Sequence, residues 1–558
     1  MKKLLIATLI FLASSSTLWG AVSWTGNTCT ITGDATVAQI TDCLTGAVNG
    51  IVAQGKTGEI TIQLPADTET WTSGKSINMG DAAYINVTSL IVRGNGTVVN
   101  TSIGSNGNTN INFDTSFMLF NLTIPAGKKF RLSNIAITST NVTSINALVE
   151  MRGKTSPSNG GGFRIDHLTF ETAQQTDATF RNFFIYDETY GVFDHNRIVT
   201  DALQPWIIRP DGYGNRIWAK PIGIGTIDAV FVEDNYIKHT LNNLGEAMDG
   251  GNGLKVVFRN NEVINFNMSI HGVDAGSNMR GAMFMEVYNN TFTNNHDTKN
   301  TPSANLAGPL GGRSGTWMAF NNHIYNKIGG VEQAGTGLWS TGIFIRYHRA
   351  QTDYATYPWG NVEQCNGDTA LKACYGPSDR TPSAVGYANT ACTTEETCGG
   401  TTGVTSYCQV IDLNNVDGSG YPCRDQMGIT HNNSTTSYSN TYQFDHYPSL
   451  FWNNTFKGTT PVTASCQSGC GTVIKANRDY CLSSSTGTTI NGVTGGYRPD
   501  DLASCGGHAT TYVPYTYPHP LVGGAVDTTD PVLTSVMVAG QQACPTNPSN
   551  VAISLGAT

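Results

Sequence analysis

One short phrase, with an asparagine at a fixed place, recurs six times along the middle of this chain. The copies are Val192–Ile198, Phe231–Ile237, Val257–Val263, Glu286–Phe292, Met318–Ile324 and Leu450–Phe456, and they share Asn196, Asn235, Asn261, Asn290, Asn322 and Asn454. An apolar residue stands three places before each (Phe193, Val232, Phe258, Val287, Ala319, Phe451) and another two places after (Ile198, Ile237, Val263, Phe292, Ile324, Phe456). From Asn196 to Asn322 the spacing is 39, 26, 29 and 32 residues, the range in which each repeat is one structural unit stacked on the next.

Alternate side chains of a strand point to opposite faces, so offsets of minus three and plus two cannot share a face of one straight strand. A bend at the Asn removes the conflict. Each repeat becomes strand, corner, strand, and equivalent residues of successive coils stack about 4.8 Å apart. The Asn column is then a ladder of amides donating and accepting along the stack; left unpaired, each buried amide costs about 1–3 kcal/mol. Weaker copies at Leu132–Ile137 and Ile165–Phe170 extend the pattern upstream, the second with His167 in the Asn place. The expected fold is all-β, a right-handed parallel β-helix (solenoid). Ordinary strands ended by Asn-Asn turns, as in a sandwich or propeller, leave the shared flanking positions unexplained. Charged residues make up 13% of the chain, about half the usual share, which suits a solenoid with turns of Gly, Thr, Ser and Asn.

Residues 1–21 have the form of a secretory signal peptide: Lys2 and Lys3, an apolar run from Leu4 to Leu12, and small residues at Gly20 and Ala21. That run is too short to span a membrane, and no later segment is long enough. The expected location is therefore secreted, extracellular or at the cell surface. The formal charge of −9 falls to −11 without Lys2 and Lys3. An acidic chain without basic clusters argues against nucleic acid as a partner. Thirteen cysteines in an exported chain favour disulfides. Cys29 and Cys43 bracket a helix, six more cysteines lie between Cys365 and Cys423, and Cys466, Cys470, Cys481 and Cys505 form a third group. Pairing within each group is the simplest expectation. A zinc site lacks the paired Cys-x-x-Cys spacing it needs.

Residues 22–57 read as an N-terminal cap, in which Ala35 to Val52 carries helical spacing (Val37, Ile40, Leu44, Val48, Val52). A cap helix shields the open end of a solenoid and blocks edge-to-edge pairing. The β-helix is assigned to residues 58–525, with coils over about 58–350 and a disulfide-rich excursion at 353–427. The prolines of Tyr512–Leu521 forbid a central strand, so this segment is expected to be an extended strap closing the solenoid. Residues 526–558 are read as a linker and an incomplete Ig-like or fibronectin-like segment, too short to bury its own core.

The cap helix leading into Ile62-Gln63-Leu64-Pro65, the copies at Glu233-Asp234-Asn235 and Arg259-Asn260-Asn261, His271-Gly272 and the Tyr-Pro-His-Pro strap carry a resemblance over residues 30–525. The chain resembles the pectate-lyase-like superfamily of right-handed parallel β-helices, and within it secreted bacterial β-helix repeat proteins. The resemblance implies the architecture; the activities in the superfamily include lyases, hydrolases, epimerases and non-catalytic surface proteins. Arg313-Ser-Gly-Thr-Trp-Met-Ala-Phe-Asn-Asn322 is similar to the pectate-lyase phrase Arg-x-Gly-x-x-His-x-Tyr-Asn-Asn, with Met318 in the His place and Phe320 in the Tyr place. Arg164-Ile-Asp-His-Leu168 echoes the family's Trp-Ile-Asp-His-Cys.

Counting back from the ladder Asn of each coil places Asp187, Asp249, Arg280 and Arg313 on the preceding strand or its edge, with His271 entering the same region. Such a row suits an acidic polysaccharide. β-Elimination next to a uronate needs the carboxylate neutralised and a base for the C5 proton. Arg280 and Arg313 are the candidate neutralising residues, since guanidinium binds carboxylate bidentately, and His271 is the chemically easier base. Asp249 with Asp274 is the candidate metal pair, with calcium as the ion. Arg259, Glu286 and Tyr288 are candidate substrate-binding residues. The outward row Asp194, Glu233, Arg259, Tyr288, Phe320, Trp452 could be a sugar-stacking platform or a surface covered by the Cys-rich excursion. The plainer alternatives are surface ion pairs for the arginines, a turn cap for His271 and an outward pair for Arg259 and Glu286.

The functional expectation is a secreted, monomeric, carbohydrate-active β-helix that binds an acidic polysaccharide and, if an enzyme, cleaves it as a polysaccharide lyase. One alternative is a non-catalytic surface or adhesion protein. Another is an inverting glycoside hydrolase, for which His271-Gly272 resembles the polygalacturonase His-Gly, although that family's Asn-Thr-Asp and Asp-Asp motifs are absent.

Overall fold

A computed structural model describes residues 22–522 except 97–108, 114–116, 140–146, 154–161, 173–180, 187, 201–205, 211–221, 241–244, 252, 273–280, 297–307, 329, 333–338, 347–371, 376–406, 411–426, 432–443, 458, 467–473 and 506–511. Three long sheets carry the described chain: a first of 13 strands, a second of 12 and a third of 10. The chain visits them in rotation. Val230–Glu233 lies in the first, Tyr236–His239 in the second and Gly245–Gly250 in the third, and then Lys255–Arg259 returns to the first, parallel to Val230–Glu233. This is the topology of a parallel β-solenoid. Its first sheet continues past residue 350, through Ser449–Trp452 to Tyr480–Ser483.

The apolar flanks of the Asn phrase do what the spacing predicts. Phe193, Val232, Phe258, Val287, Ala319 and Phe451, together with Ile198, Ile237, Val263, Phe292 and Ile324, are all buried in one continuous core. Fully burying such a side chain contributes about 1.5–3 kcal/mol for Val, Ile or Phe, and every coil repeats the contribution. Between the two flanks runs the ladder. The Nδ2 of Asn196 donates to Oδ1 of Asn235, and the step repeats through Asn261, Asn290, Asn322 and Asn454 at 2.8–3.0 Å. The backbone N–H of each of these residues but the last donates to the same Oδ1.

The corner itself differs from the expectation in one respect. The bent residue is the one before the ladder Asn: Asn134, His167, His195, Asp234, Asn260, Asn289, Asn321 and Asn453 all have φ between 48° and 59°. Asn, Asp and His tolerate this left-handed region best among non-glycine residues, which accounts for the column's composition. His167 therefore belongs to the bend column and not to the ladder. The ladder position of its coil is Leu168, whose backbone N–H donates to Oδ1 of Asn196 and ends the amide chain.

The helix near the N-terminus spans Val37–Thr45, shorter than the periodicity suggested. Thr36 and Gln39 form a capping box at its start, and Gly46 ends it, so that Val48 and Val52 are left exposed. Its Ile40, Cys43 and Leu44 join the core, and Cys43 is bonded to Cys29. A second disulfide joins Cys481 to Cys505. Both pairings fall within the groups read from the sequence. The signal-peptide expectation (1–21) and the linker and Ig-like expectation (526–558) lie outside the described residues, as does most of the 353–427 excursion. Within the excursion, Lys372–Tyr375 pairs antiparallel with Tyr407–Val410.

The ladder predicts a sharp contrast between neighbours. Asn261 Nδ2 donates to Val232 O, Arg259 O and Asn290 Oδ1. Asn261→Asp, which turns that donor into an acceptor facing three acceptors, should destabilise by more than Asn261→Ala, itself costing about 2–4 kcal/mol. Asn260→Gly, which keeps the left-handed bend, should cost less than about 1 kcal/mol. Urea unfolding of the three variants checks the order.

Candidate functional site

The outer face of the third sheet gathers ionisable residues from four successive coils. Arg209 lies on Trp206–Pro210, Glu246 and Asp249 on Gly245–Gly250, His271 directly after Phe266–Ile270 and Arg313 directly after Leu310–Gly312; these strands are neighbours in that order. Residues three apart on a straight strand face opposite ways. Here the register shifts between Glu246 and Met248: Glu246 pairs with Asn267 and Asp249 with Ser269. The extra residue of this β-bulge brings Glu246 and Asp249 to the same face, a common device beside functional sites.

Asp249 is fully buried at the centre. Its Oδ1 lies 2.7 Å from Nε2 of His271, and its Oδ2 accepts from Nη1 of Arg209 at 3.1 Å. Burial alone would raise its pKa, but His271, Arg209 and Arg313 hold it below the ordinary carboxylate value. An ionised carboxylate can only accept, so His271 carries its proton on Nε2 and turns Nδ1 toward Arg313, whose Nη1 is 3.4 Å away. The His271 side chain is 21% exposed; its backbone is fixed by N–H donation to Gly250 O and by Ser314 Oγ donating to its carbonyl. Burial, and then the charge of Asp249, push the half-buried Glu246 up to about 7. The face therefore presents a carboxylate-oriented imidazole, a carboxyl poised near neutrality and two guanidinium groups.

Of the residues singled out in the sequence, Asp249, His271 and Arg313 are brought together. Arg280, Asp274 and Asp187 lie outside the described residues. Glu246 and Arg209 were missed. Glu246 reaches the face only through the bulge, and Arg209 is separated from its next ladder residue, Asn235, by too long a segment for counting to place it. Glu246, Asp249 and His271 each offer one ligand atom within 4.8 Å of the others. However, both oxygens of Asp249 already face N–H donors, from His271 and Arg209, and hard calcium takes oxygen ligands rather than imidazole. Glu246, Asp249 and His271 therefore do not by themselves fit a calcium site, and Asp274, the other half of the expected pair, lies outside the described residues.

Arg259, Glu286 and Tyr288 sit elsewhere, on the outer face of the first sheet, and each is 0% exposed. What covers them is the strap at Tyr512–Val522, which lies along the side of the solenoid. Arg259 Nε donates to Glu233 Oε2 at 2.7 Å, while its Nη1 and Nη2 donate to the carbonyls of Tyr515 and Thr516 at 2.9 Å. His519 N–H donates to Glu233 Oε1, Tyr517 OH to Asp234 and Tyr512 OH to Glu286. The aromatic row stacks on itself, Tyr288 on Phe320 at 4.4 Å and Phe320 on Trp452 at 4.2 Å. It forms a second apolar core with Tyr512 and Leu502.

Removing the buried guanidinium leaves Glu233 without its charge partner, so Arg259→Met should cost about 3–5 kcal/mol and expose the strap to limited proteolysis. Burial pushes Glu286 up to about 7, against the bonds from Tyr512 and Gly225. Its folded-state pKa lies above the unfolded one, so its contribution to stability falls as pH rises from about 4.5 to about 7. Glu286→Gln should therefore gain on the wild type by about 3 kcal/mol between pH 4.5 and pH 8, read from unfolding midpoints at the two pH values.

Comparison with protein-family models, with curated proteins and with solved structures found no match.

Proposed function

We propose that the chain is a secreted, right-handed β-helix of the pectate-lyase-like kind, with the Val37–Thr45 helix capping one end of its coils. The outer face of its third sheet binds an acidic polysaccharide and cleaves it by β-elimination. The Cys29–Cys43 and Cys481–Cys505 disulfides suit an exported protein. Among the described residues no helix is long and apolar enough to cross a membrane.

The observation that carries the reading is the Arg209–Asp249–His271–Arg313 chain with Glu246 beside it. A uronate carboxylate entering this face meets Arg313, which turns from His271 to pair with it and stabilises the charge that develops as the C5 proton leaves. That movement frees Nδ1 of His271, whose other nitrogen Asp249 holds. His271 Nδ1 takes the C5 proton, the electron pair forms the C4–C5 double bond, and the C4–O bond breaks. Glu246, near its pKa at neutral pH, supplies the proton to the departing oxygen. No step is assigned to calcium. The closeness of Glu246 to Asp249 favours elimination over inverting hydrolysis, which needs carboxylates about 6.5–9.5 Å apart to admit a water.

Incubation with a panel of uronate polymers, followed by the absorbance of the unsaturated product, tests the proposal. His271→Asn should lower kcat by about 10²–10⁴-fold and Arg313→Ala by about 10²–10³-fold. Absence of product from the wild type, with and without added calcium, sinks the lyase reading; retained binding in that case points to the non-catalytic surface protein.

A further inference from the structure

The bend between the first and second sheets carries a second histidine arrangement, at a different corner from the polysaccharide face and independent of it. His167 and His195 occupy the same left-handed position on adjacent coils. Their rings stack with centroids 5.3 Å apart and planes within 6° of parallel. Each Nδ1 meets the carboxylate beside it, His167 on Asp166 Oδ2 at 2.8 Å and His195 on Asp194 Oδ2 at 2.9 Å. Both carboxylates are fully buried and held by a forked guanidinium. Arg131 donates to Asp166 at 2.8 and 2.7 Å, and Arg164 to Asp194 at 3.0 and 2.9 Å.

A carboxylate clamped in this way can only accept. It fixes the proton of each neutral imidazole on Nδ1 and leaves the lone pair on Nε2. The rings remain partly open, with the side chains of His167 and His195 20% and 38% exposed. Each guanidinium charge is matched by its carboxylate, so the corner is not a cationic patch. A histidine whose far nitrogen is held by a buried carboxylate is the outer-shell arrangement that orients metal-ligating imidazoles and raises their basicity.

We propose that His167 and His195 form a two-histidine site for a borderline divalent cation such as Zn²⁺, ligated through both Nε2 atoms with water completing the coordination. With Zn–N bonds of about 2.0–2.1 Å at a tetrahedral angle the two nitrogens lie about 3.3 Å apart, so both rings must turn their Nε2 edges toward each other from the stacked spacing of 5.3 Å. Imidazole pairs suit zinc, copper and nickel and not calcium or magnesium. Asp234, the next residue of the column, accepts from Tyr517 OH through Oδ1 at 2.8 Å and is left out of the ligand set.

The column supplies its own control variants, because Asn occupies the same bend at Asn134, Asn260, Asn289, Asn321 and Asn453. Zn²⁺ titrated by calorimetry into metal-stripped, tag-free full-length protein should bind saturably at this pair. His167→Asn and His195→Asn should each weaken that binding by at least about tenfold while the circular dichroism stays that of the wild type. Asp194→Asn, which removes the orienting carboxylate, should weaken it by about 10–100-fold. Absence of saturable Zn²⁺ binding, or binding that the double His167→Asn/His195→Asn variant retains in full, overturns the assignment. Retained binding would place the ion at other groups, such as Glu246, Asp249 and His271.

Discussion

Parallel coils stacked in register turn every corner residue into a column. A polar corner buried between two sheets is stable only when its column satisfies itself. Here the amide of each ladder Asn donates to the next Asn, and its oxygen takes both the amide and the backbone N–H of the preceding one. The chain can turn at that point because the residue before is Asn, Asp or His, types that accept positive φ. Where the ladder ends, at Leu168, the bend at His167 persists and an apolar residue fills the corner. The continuous inner core and the registration of the three sheets rest on these two columns.

The first and third sheets share the fold but have different outer faces. On the first, outward residues include Phe231, Tyr288, Phe320 and Trp452, a run of large apolar surface that favours burial. The strap provides the cover, and the fully buried Arg259 ties it down through main-chain carbonyls as well as through Glu233. On the third, the outward residues are charged and converge on a partly open histidine. Charges that satisfy one another while leaving an imidazole in reach of solvent are suited to chemistry; aromatic rows sealed beneath a proline-rich strap are suited to stability.

Much of this is legible in the amino-acid sequence. The offsets of minus three and plus two identified the core columns, and counting back from the ladder put Asp249 and Arg313 on one face. Counting failed where local geometry departs from an even repeat. Glu246 is displaced onto the site by a β-bulge that no periodicity announces. The repeat pattern puts His167 in the Asn place of its coil, whereas its positive φ and its stacking on His195 put it one residue earlier. Arg259, Glu286 and Tyr288 alternate outward as expected, but outward from the coil is not outward to solvent when a segment some 250 residues later lies across them.

By itself the sequence determined the periodic part of this protein. The spacing of apolar residues around an asparagine allows one way to bury them, and self-pairing amides make that way repeatable. Tertiary structure alone decided which outer face the strap seals, which carboxylate joins the histidine and which two histidines stack. Those outcomes rest on contacts between residues far apart in the chain and on a one-residue bulge. Neither leaves a period in the sequence, because each arises once and the repeat does not encode it.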